Sequence, residues 1–151
     1  METVITLMQL SDLEELKEKQ LVEQFDDFWT FSVLKQELEN KQNLNSQYFI
    51  ARQKLEIVGF SGMINICDEV SIMNIVVRKD KRMLGIGSLL LEFMIQFCKN
   101  QNAISITLEV NEKNSPAIAL YKKYGFIQVG LRKKYYHHSD NAVLMTLLLK
   151  D

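Results

Sequence analysis

Apolar residues recur along this chain with periods of two and of three to four, and each change of period marks a candidate element. Val4, Ile5 and Leu7 lie within residues 3 to 8, which read as a short strand. Ser11-Asp12-Leu13-Glu14 has the form of a capping box, with the Ser hydroxyl on a first-turn N–H and Glu14 reaching back. The helix it starts carries Leu13, Leu16, Leu21 and Phe25. Thr30 is placed to cap a second helix, with Phe31, Leu34 and Leu38 on one face. After a polar break at residues 43 to 46, Tyr48 to Ala51 and Ile57 to Met63 are β-rich runs joined by a short polar turn, a hairpin signal. Val70 to Val77 predicts a further strand. The clearest helix spans Gly87 to Asn100, where Leu89, Leu90, Phe93, Met94 and Phe97 follow a 3,4 spacing opposite Ser88, Glu92, Gln96 and Lys99.

Next, Ile104, Ile106, Leu108 and Val110 alternate with Ser105, Thr107 and Glu109, so this strand has one apolar and one polar face. Ser115-Pro116 reads as N-cap and first residue of a last helix running to about Tyr124, with Gly125 just beyond its end. Phe126 to Tyr136 and Ala142 to Leu149 predict two closing strands around a His-Ser-Asp-Asn turn. The predicted order is β-α-α-β-β-β-α-β-α-β-β, an α+β class with a mixed sheet and helices on its faces. Runs 72–77 and 104–110 read as central strands. A lone proline, Pro116, and the lack of any Gly/Ser-rich linker or repeat predict one domain over residues 1–151.

Composition narrows the function classes. A chain of 151 residues can bury roughly 70% of its unfolded surface, enough for one core. With 47% hydrophobic and 25% charged residues, disorder is excluded as a reading. Net charge is −1, so no global field favours nucleic acid or an anionic membrane. Arg132-Lys133-Lys134, though beside two tyrosines, is too short a basic run to change that. No apolar run approaches the ~20 residues of a membrane helix. Met1-Glu2-Thr3-Val4 has no basic start, so no secretory leader is expected. Cys67 and Cys98 sit in apolar runs outside any CxxC pair, which predicts two buried thiols and a reducing, cytoplasmic setting. His137-His138 has no further ligand at metal spacing, so a solvated turn and no metal are expected.

The most informative segment is Arg82-Met83-Leu84-Gly85-Ile86-Gly87, followed by Ser88, between a strand and the amphipathic helix. Its glycines permit a tight turn, and the loop N–H groups with the helix dipole favour a bound pyrophosphate. The dinucleotide fingerprint needs a small residue where Leu90 stands, and the NTPase P-loop needs a Gly-Lys-Ser/Thr that is absent. An ordinary strand-to-helix turn is the other reading of the loop taken alone.

Residues 108 to 126 run LEVNEKNSPAIALYKKYGF. Together with the Arg-x-x-Gly-x-Gly loop, Asn74-Ile75-Val76-Val77, the Trp29 segment ahead of Phe31 to Leu38, and Arg132 to Tyr136, this pattern resembles the GNAT acetyltransferases. Within them it is most similar to the ribosomal-protein-alanine N-acetyltransferases (RimI type) and related protein N-terminal acetyltransferases. The resemblance implies acetyl-CoA as acetyl donor, with its pyrophosphate on Met83, Leu84, Gly85, Ile86, Gly87 and Ser88 beside Arg82. It implies that the backbone of Ile75, Val76 and Val77 pairs with the pantetheine arm, and that a bulge there frees N–H groups to polarise the thioester carbonyl. Asn114 then contacts the coenzyme, where the residues alone equally fit a helix cap. Glu109 becomes the general base, acting through water, rather than a solvated strand-end carboxylate. Tyr121 becomes the general acid, although it also fits an apolar stripe with Ala117, Ile118 and Tyr124. Trp29, Tyr135 and Tyr136 would surround an entering peptide N-terminus, the two tyrosines being alternatively a strand packed on the core.

The chemistry agrees with these roles. An α-amino group with a pKa near 7.7–8.0 needs only a modest base, and a phenol near 10 is protonated at neutral pH. Met83 and Leu84 stand where the family often has Arg or Gln, and Asn111 where close relatives often have Arg. The expected activity is transfer of acetyl from acetyl-CoA to a protein N-terminus, the N-terminal alanine of a small-subunit ribosomal protein, by direct attack in a ternary complex. The expected state is monomer or weak dimer, without nucleic-acid or membrane partners. Two rivals are an acetyltransferase for a small amine, such as a polyamine or aminoglycoside, and an inactive coenzyme A-binding module.

Overall fold

The computed structural model describes residues 2–18, 31–40, 45–136 and 140–150. Its elements are β1 (Thr3–Leu7), a short 3-10 turn (Leu10–Asp12), α1 (Leu13–Glu18), α2 (Phe31–Glu39), β2 (Ser46–Gln53), β3 (Glu56–Ile66) and β4 (Glu69–Val77). A second 3-10 turn (Lys79–Lys81) leads to α3 (Ile86–Asn100), β5 (Ser105–Asn111), α4 (Ser115–Lys123), β6 (Ile127–Tyr136) and β7 (Asp140–Leu148). The sheet is mixed and seven-stranded, ordered β1-β2-β3-β4-β5-β7-β6. This is the predicted element order and the predicted α+β class. The insertion of β7 between β5 and β6 is what a linear pattern does not reveal.

The chain forms two compact units, Met1–Ile64 with Asn74–Met94, and Asn65–Met73 with Ile95–Asp151. In the first, β1, β2 and β3 pair antiparallel, from Thr3↔Gln53 at one edge to Ser46↔Ile64. Phe49, Ile50, Ala51, Ile57, Val58 and Phe60 are fully buried there, as are Leu16, Leu34 and Leu90. Lys54, at φ +56, turns the β2–β3 hairpin. The first helical turn starts earlier than predicted. Asp12, not Ser11, does the capping: its Oδ2 accepts from the Gln9 N–H at 2.7 Å, while Arg52 of β2 holds the same carboxylate. One turn on, Glu15 Oε2 accepts from the Ile57 N–H at 2.6 Å and ties α1 to β3. Leu21, Phe25 and Thr30 lie outside the described residues.

In the second unit, β5 pairs parallel with the start of β4 (Glu69↔Ser105 to Ser71↔Thr107) and antiparallel with β7 over its whole length. Ile106, Leu108, Val110, Val143 and Met145 form its core, and Ile104, at the head of the predicted alternation, is 44% exposed. Cys67 and Asp68 both have positive φ (+53 and +66) and turn β3 into β4. That turn leaves Cys67 exposed, correcting the expectation of two buried thiols; Cys98 is buried.

The apolar stripe of α3 is Ile86, Leu90, Leu91, Met94, Ile95 and Cys98, whereas Leu89 and Phe93 are each more than a third exposed. The predicted stripe is therefore rotated by about one residue. Apolar side chains cover so much of this helix that spacing alone leaves its phase open. Helices α3 and α4 end alike. Ala103 N–H bonds Cys98 O at 3.0 Å after Asn102 (φ +61), and Phe126 N–H bonds Tyr121 O at 3.0 Å after Gly125 (φ +97). These are Schellman closures, in which a left-handed residue lets the chain turn back on the last carbonyls.

Candidate active site

Every residue of the glycine loop belongs to the first unit. Gly85 sits at φ +84, and among the described residues nothing beyond its chain neighbours lies within 4 Å of where a side chain would begin. At Gly87, among the described residues and apart from its own helix backbone and chain neighbours, Val77 Cγ2 at 3.9 Å is the one atom that close. The Leu89 N–H closes the first turn of α3 on Gly85 O at 3.1 Å. Bare backbone therefore faces open space at the start of a 15-residue helix, the arrangement that accommodates a diphosphate. Met83 (φ +67) is 97% exposed and Leu84 63%, so neither side chain fills that space from the core. Ile86 is buried and can offer a ligand only its backbone. Arg82 Nε bonds the carbonyl of Val77 at 3.1 Å, tying the loop to the end of β4. Ser88 is half-buried.

The β4 segment lies in the same unit. Val76 is buried; Ile75 and Val77 are half-buried. The Ile75 N–H donates to Oδ1 of its neighbour Asn74 at 2.8 Å. A side-chain acceptor, which can turn away, thus occupies this amide. A Cβ at Gly59 would stand 2.7 Å from the Val76 carbonyl, so β3 approaches this segment as closely as only glycine permits.

The predicted acid and base both lie in the second unit. Glu109 is half-buried on the polar face of β5. Its Oε1 accepts from Arg132 Nη2 of β6 at 2.8 Å. Above and below it on this face run two further polar pairs: Thr107 Oγ1 with Thr146 Oγ1 at 3.1 Å, and Asn111 Nδ2 with Asp140 Oδ2 at 3.1 Å. Lys113 Nζ also meets Asp140, at 2.8 Å. Asn111 builds the turn into α4: its Oδ1 accepts from the Lys113 N–H at 2.9 Å.

Asn114, not Ser115, caps α4. Its Oδ1 accepts from the Ala117 N–H at 3.3 Å, which places Pro116 second in the helix rather than first. Both positions lack an intrahelical N–H partner, so proline is tolerated at either. Tyr121 stands two turns on, its ring tilted against Phe126 at 5.7 Å. Burial pushes its phenol up to about 12. The group is therefore a neutral donor throughout the physiological range.

Tyr135 and Tyr136 close β6, where Tyr136 pairs with Asp140. Trp29, His137 and His138 lie outside the described residues. Among the described residues no group of three or more His, Cys, Asp or Glu could hold a metal ion, and no helix is long and apolar enough to cross a membrane. Arg132 is the residue that sequence reasoning missed. It read as part of a basic run, because its meeting with Glu109 depends on β7 lying between their strands.

Residues 10–126 match the acetyltransferase (GNAT) family. A ribosomal protein bS18-alanine N-acetyltransferase of Haemophilus influenzae is 32% identical, with 97% of this chain and 99% of that protein covered. An N-alpha-acetyltransferase of Sulfurisphaera tokodaii is 34% identical over 72% of each chain. Among solved structures, the ribosomal-protein-S18-alanine N-acetyltransferase from Escherichia coli matches with a TM-score of 0.85 at 25% identity, covering 99% of this chain and 96% of that one.

Proposed function

Because the chain belongs to the acetyltransferase (GNAT) family, we propose that it works as one acetyltransferase domain over residues 1–151, moving acetyl from acetyl-CoA to a protein N-terminus. The acceptor we propose is the N-terminal alanine of ribosomal protein bS18. The near full-length similarity to a bS18-alanine N-acetyltransferase carries that choice.

The residue roles are those the family resemblance implies, read with the chemistry of each group. The pyrophosphate of the donor takes the backbone of residues 83–88, where the left-handed Gly85 opens the loop. The strand backbone at Ile75, Val76 and Val77 takes the pantetheine arm. Asn114 holds the N-terminus of α4 and a coenzyme contact. The acceptor nitrogen attacks the thioester carbonyl carbon and the carbon–sulfur bond breaks. The amine proton leaves through water to Glu109, and Tyr121 supports the departing sulfur. A phenol near 12 is a weaker acid than a thiol near 8.5, so Tyr121 acts on the departing thiolate as a hydrogen-bond donor, and a proton it yields to sulfur is replaced from water, to which Glu109 releases the amine proton. Trp29, Tyr135 and Tyr136 contact the peptide. The cytoplasm is the proposed setting.

The test is an assay with acetyl-CoA and three acceptors: a peptide bearing the bS18 N-terminus, the same peptide with a blocked N-terminus, and a panel of polyamines and aminoglycosides. Mass spectrometry should find one acetyl group on the α-amine of the first peptide only. Turnover confined to the small amines would overturn the acceptor assignment.

A further inference from the structure

We infer that Arg132 is a positioning residue for the reaction: its guanidinium holds the Glu109 carboxylate, through Oε1, in the orientation that receives the acceptor's proton. This rests on the general-base reading of Glu109.

The register explains how the two residues meet. β5 and β6 flank β7 on opposite sides, with Glu109 paired to Leu144 and Arg132 to Ala142. The guanidinium must therefore reach over β7. The strand residues along that path are small or displaced: Ala142 carries a methyl, and Gly130, opposite Leu144, has no side chain, so that an added Cβ there would come within 3.2 Å of Leu144 Cδ1. The contact runs from Nη2 to Oε1 at 2.8 Å. A carboxylate turns readily about its last torsion and offers roughly four acceptor sites. Pinning one oxygen selects which lone pairs face an incoming proton. The neighbouring polar groups of this face, Thr107 with Thr146 and Asn111 with Asp140, are engaged with each other. Arg132 is thus the described group that sets the orientation of Glu109.

The pair is of little use to the fold. Arg132 is 54% exposed and Glu109 26%, and exposed ion pairs contribute about 0–1 kcal/mol. An ion pair of small stabilising value on the proposed base is better explained by orientation than by folding.

Steady-state kinetics with acetyl-CoA and an Ala-initiated peptide, on Arg132→Ala, Arg132→Lys, Glu109→Gln and the Glu109→Gln/Arg132→Ala double variant, test this. Arg132→Ala should lower kcat by ~10-fold or more, below the ~10²-fold cost of a 1 Å misplacement, with little change in either KM. Arg132→Lys should recover part of the loss, since a point charge holds the oxygen without the planar fork. In the Glu109→Gln background, removing Arg132 should cost nothing further. Equal losses in both backgrounds, a change confined to the peptide KM, or an unchanged kcat in Arg132→Ala would each overturn the inference. Thermal unfolding midpoints control for folding; should Arg132→Ala fail to fold, Arg132→Lys against the parent carries the same comparison. Full kcat in Glu109→Gln would instead remove the general base itself, a separate failure.

Discussion

Replacing Gly59 by alanine tests whether the close approach of β3 shapes the strand assigned to the pantetheine arm. The new methyl carbon would sit 2.7 Å from the Val76 carbonyl oxygen, about 0.6 Å inside the ~3.3 Å at which carbon and oxygen still pack favourably. It has no room to retreat, because Leu90 Cδ1 and Ile86 Cγ2 already stand at 3.4 and 3.6 Å. The group it strikes is backbone, so β4 itself must shift. Overpacking of this kind costs about 1–3 kcal/mol. Alanine recovers roughly 0.5–1 kcal/mol through the smaller chain entropy it loses on folding. The midpoints of these ranges leave an expected net loss of about 1 kcal/mol, or roughly 2–4 °C in Tm for a chain of this size. Urea unfolding should show a lower midpoint with unchanged slope. The same shift moves Val76 and its neighbours, so the KM for acetyl-CoA should rise while that for the peptide stays. A stability change within about 0.5 kcal/mol, the range of ordinary surface substitutions, would refute the packing argument. Lost stability with an unaltered acetyl-CoA KM would refute the link to the donor.

Tyr121→Phe should lower kcat by ~10²-fold or more and leave coenzyme affinity unchanged by calorimetry. The same variant should flatten stability against pH at the alkaline end. The folded phenol titrates near 12 rather than 10, so its contribution is intact below pH 10 and disappears as pH climbs towards 12, and phenylalanine has nothing to lose in that window. Asn114→Ala removes the cap of α4 and should cost about 1 kcal/mol in chemical denaturation, while Asn114→Ser should restore most of it.

Periodicity and capping chemistry made most of the fold legible. The element order followed from where the apolar period changed, and Gly125 was readable as the left-handed residue closing α4. The failures share a physical origin. Ser11 looked like a cap because its pattern is local, yet Asp12 is recruited by Arg52, forty residues on. Ser115 lost the cap to Asn114 by one position, since either side chain can reach the free N–H groups. Cys67 looked buried by its apolar neighbours, but a two-residue left-handed turn carries it outward. The candidate site divides likewise. A glycine loop is legible because it needs backbone conformations few residues adopt. Glu109 and Tyr121 became legible through resemblance, not through spacing. The Glu109–Arg132 pair was hidden, because it exists only once β7 is inserted between their strands.

That hidden pairing bears on which amine the chain takes. A polyamine or aminoglycoside carries several cations, and a site built for one offers carboxylates left free to receive them. On the polar face of β5, β6 and β7 the described acids are already matched: Glu109 by Arg132, Asp140 by Lys113 and Asn111. Such a face exerts little long-range pull on a polycation. It can still accept a single proton, because a carboxylate held by one guanidinium keeps further acceptor sites on its two oxygens. Selection among amines then falls to shape and to backbone contacts around one N-terminus, as a peptide acceptor requires. Asn111 adds no charge to this face, being engaged in the turn that fixes Asn114 and thereby α4. If swapping the charges, as in Arg132→Glu with Lys113→Glu, turned the enzyme towards polyamines, charge matching would be the feature that keeps them out.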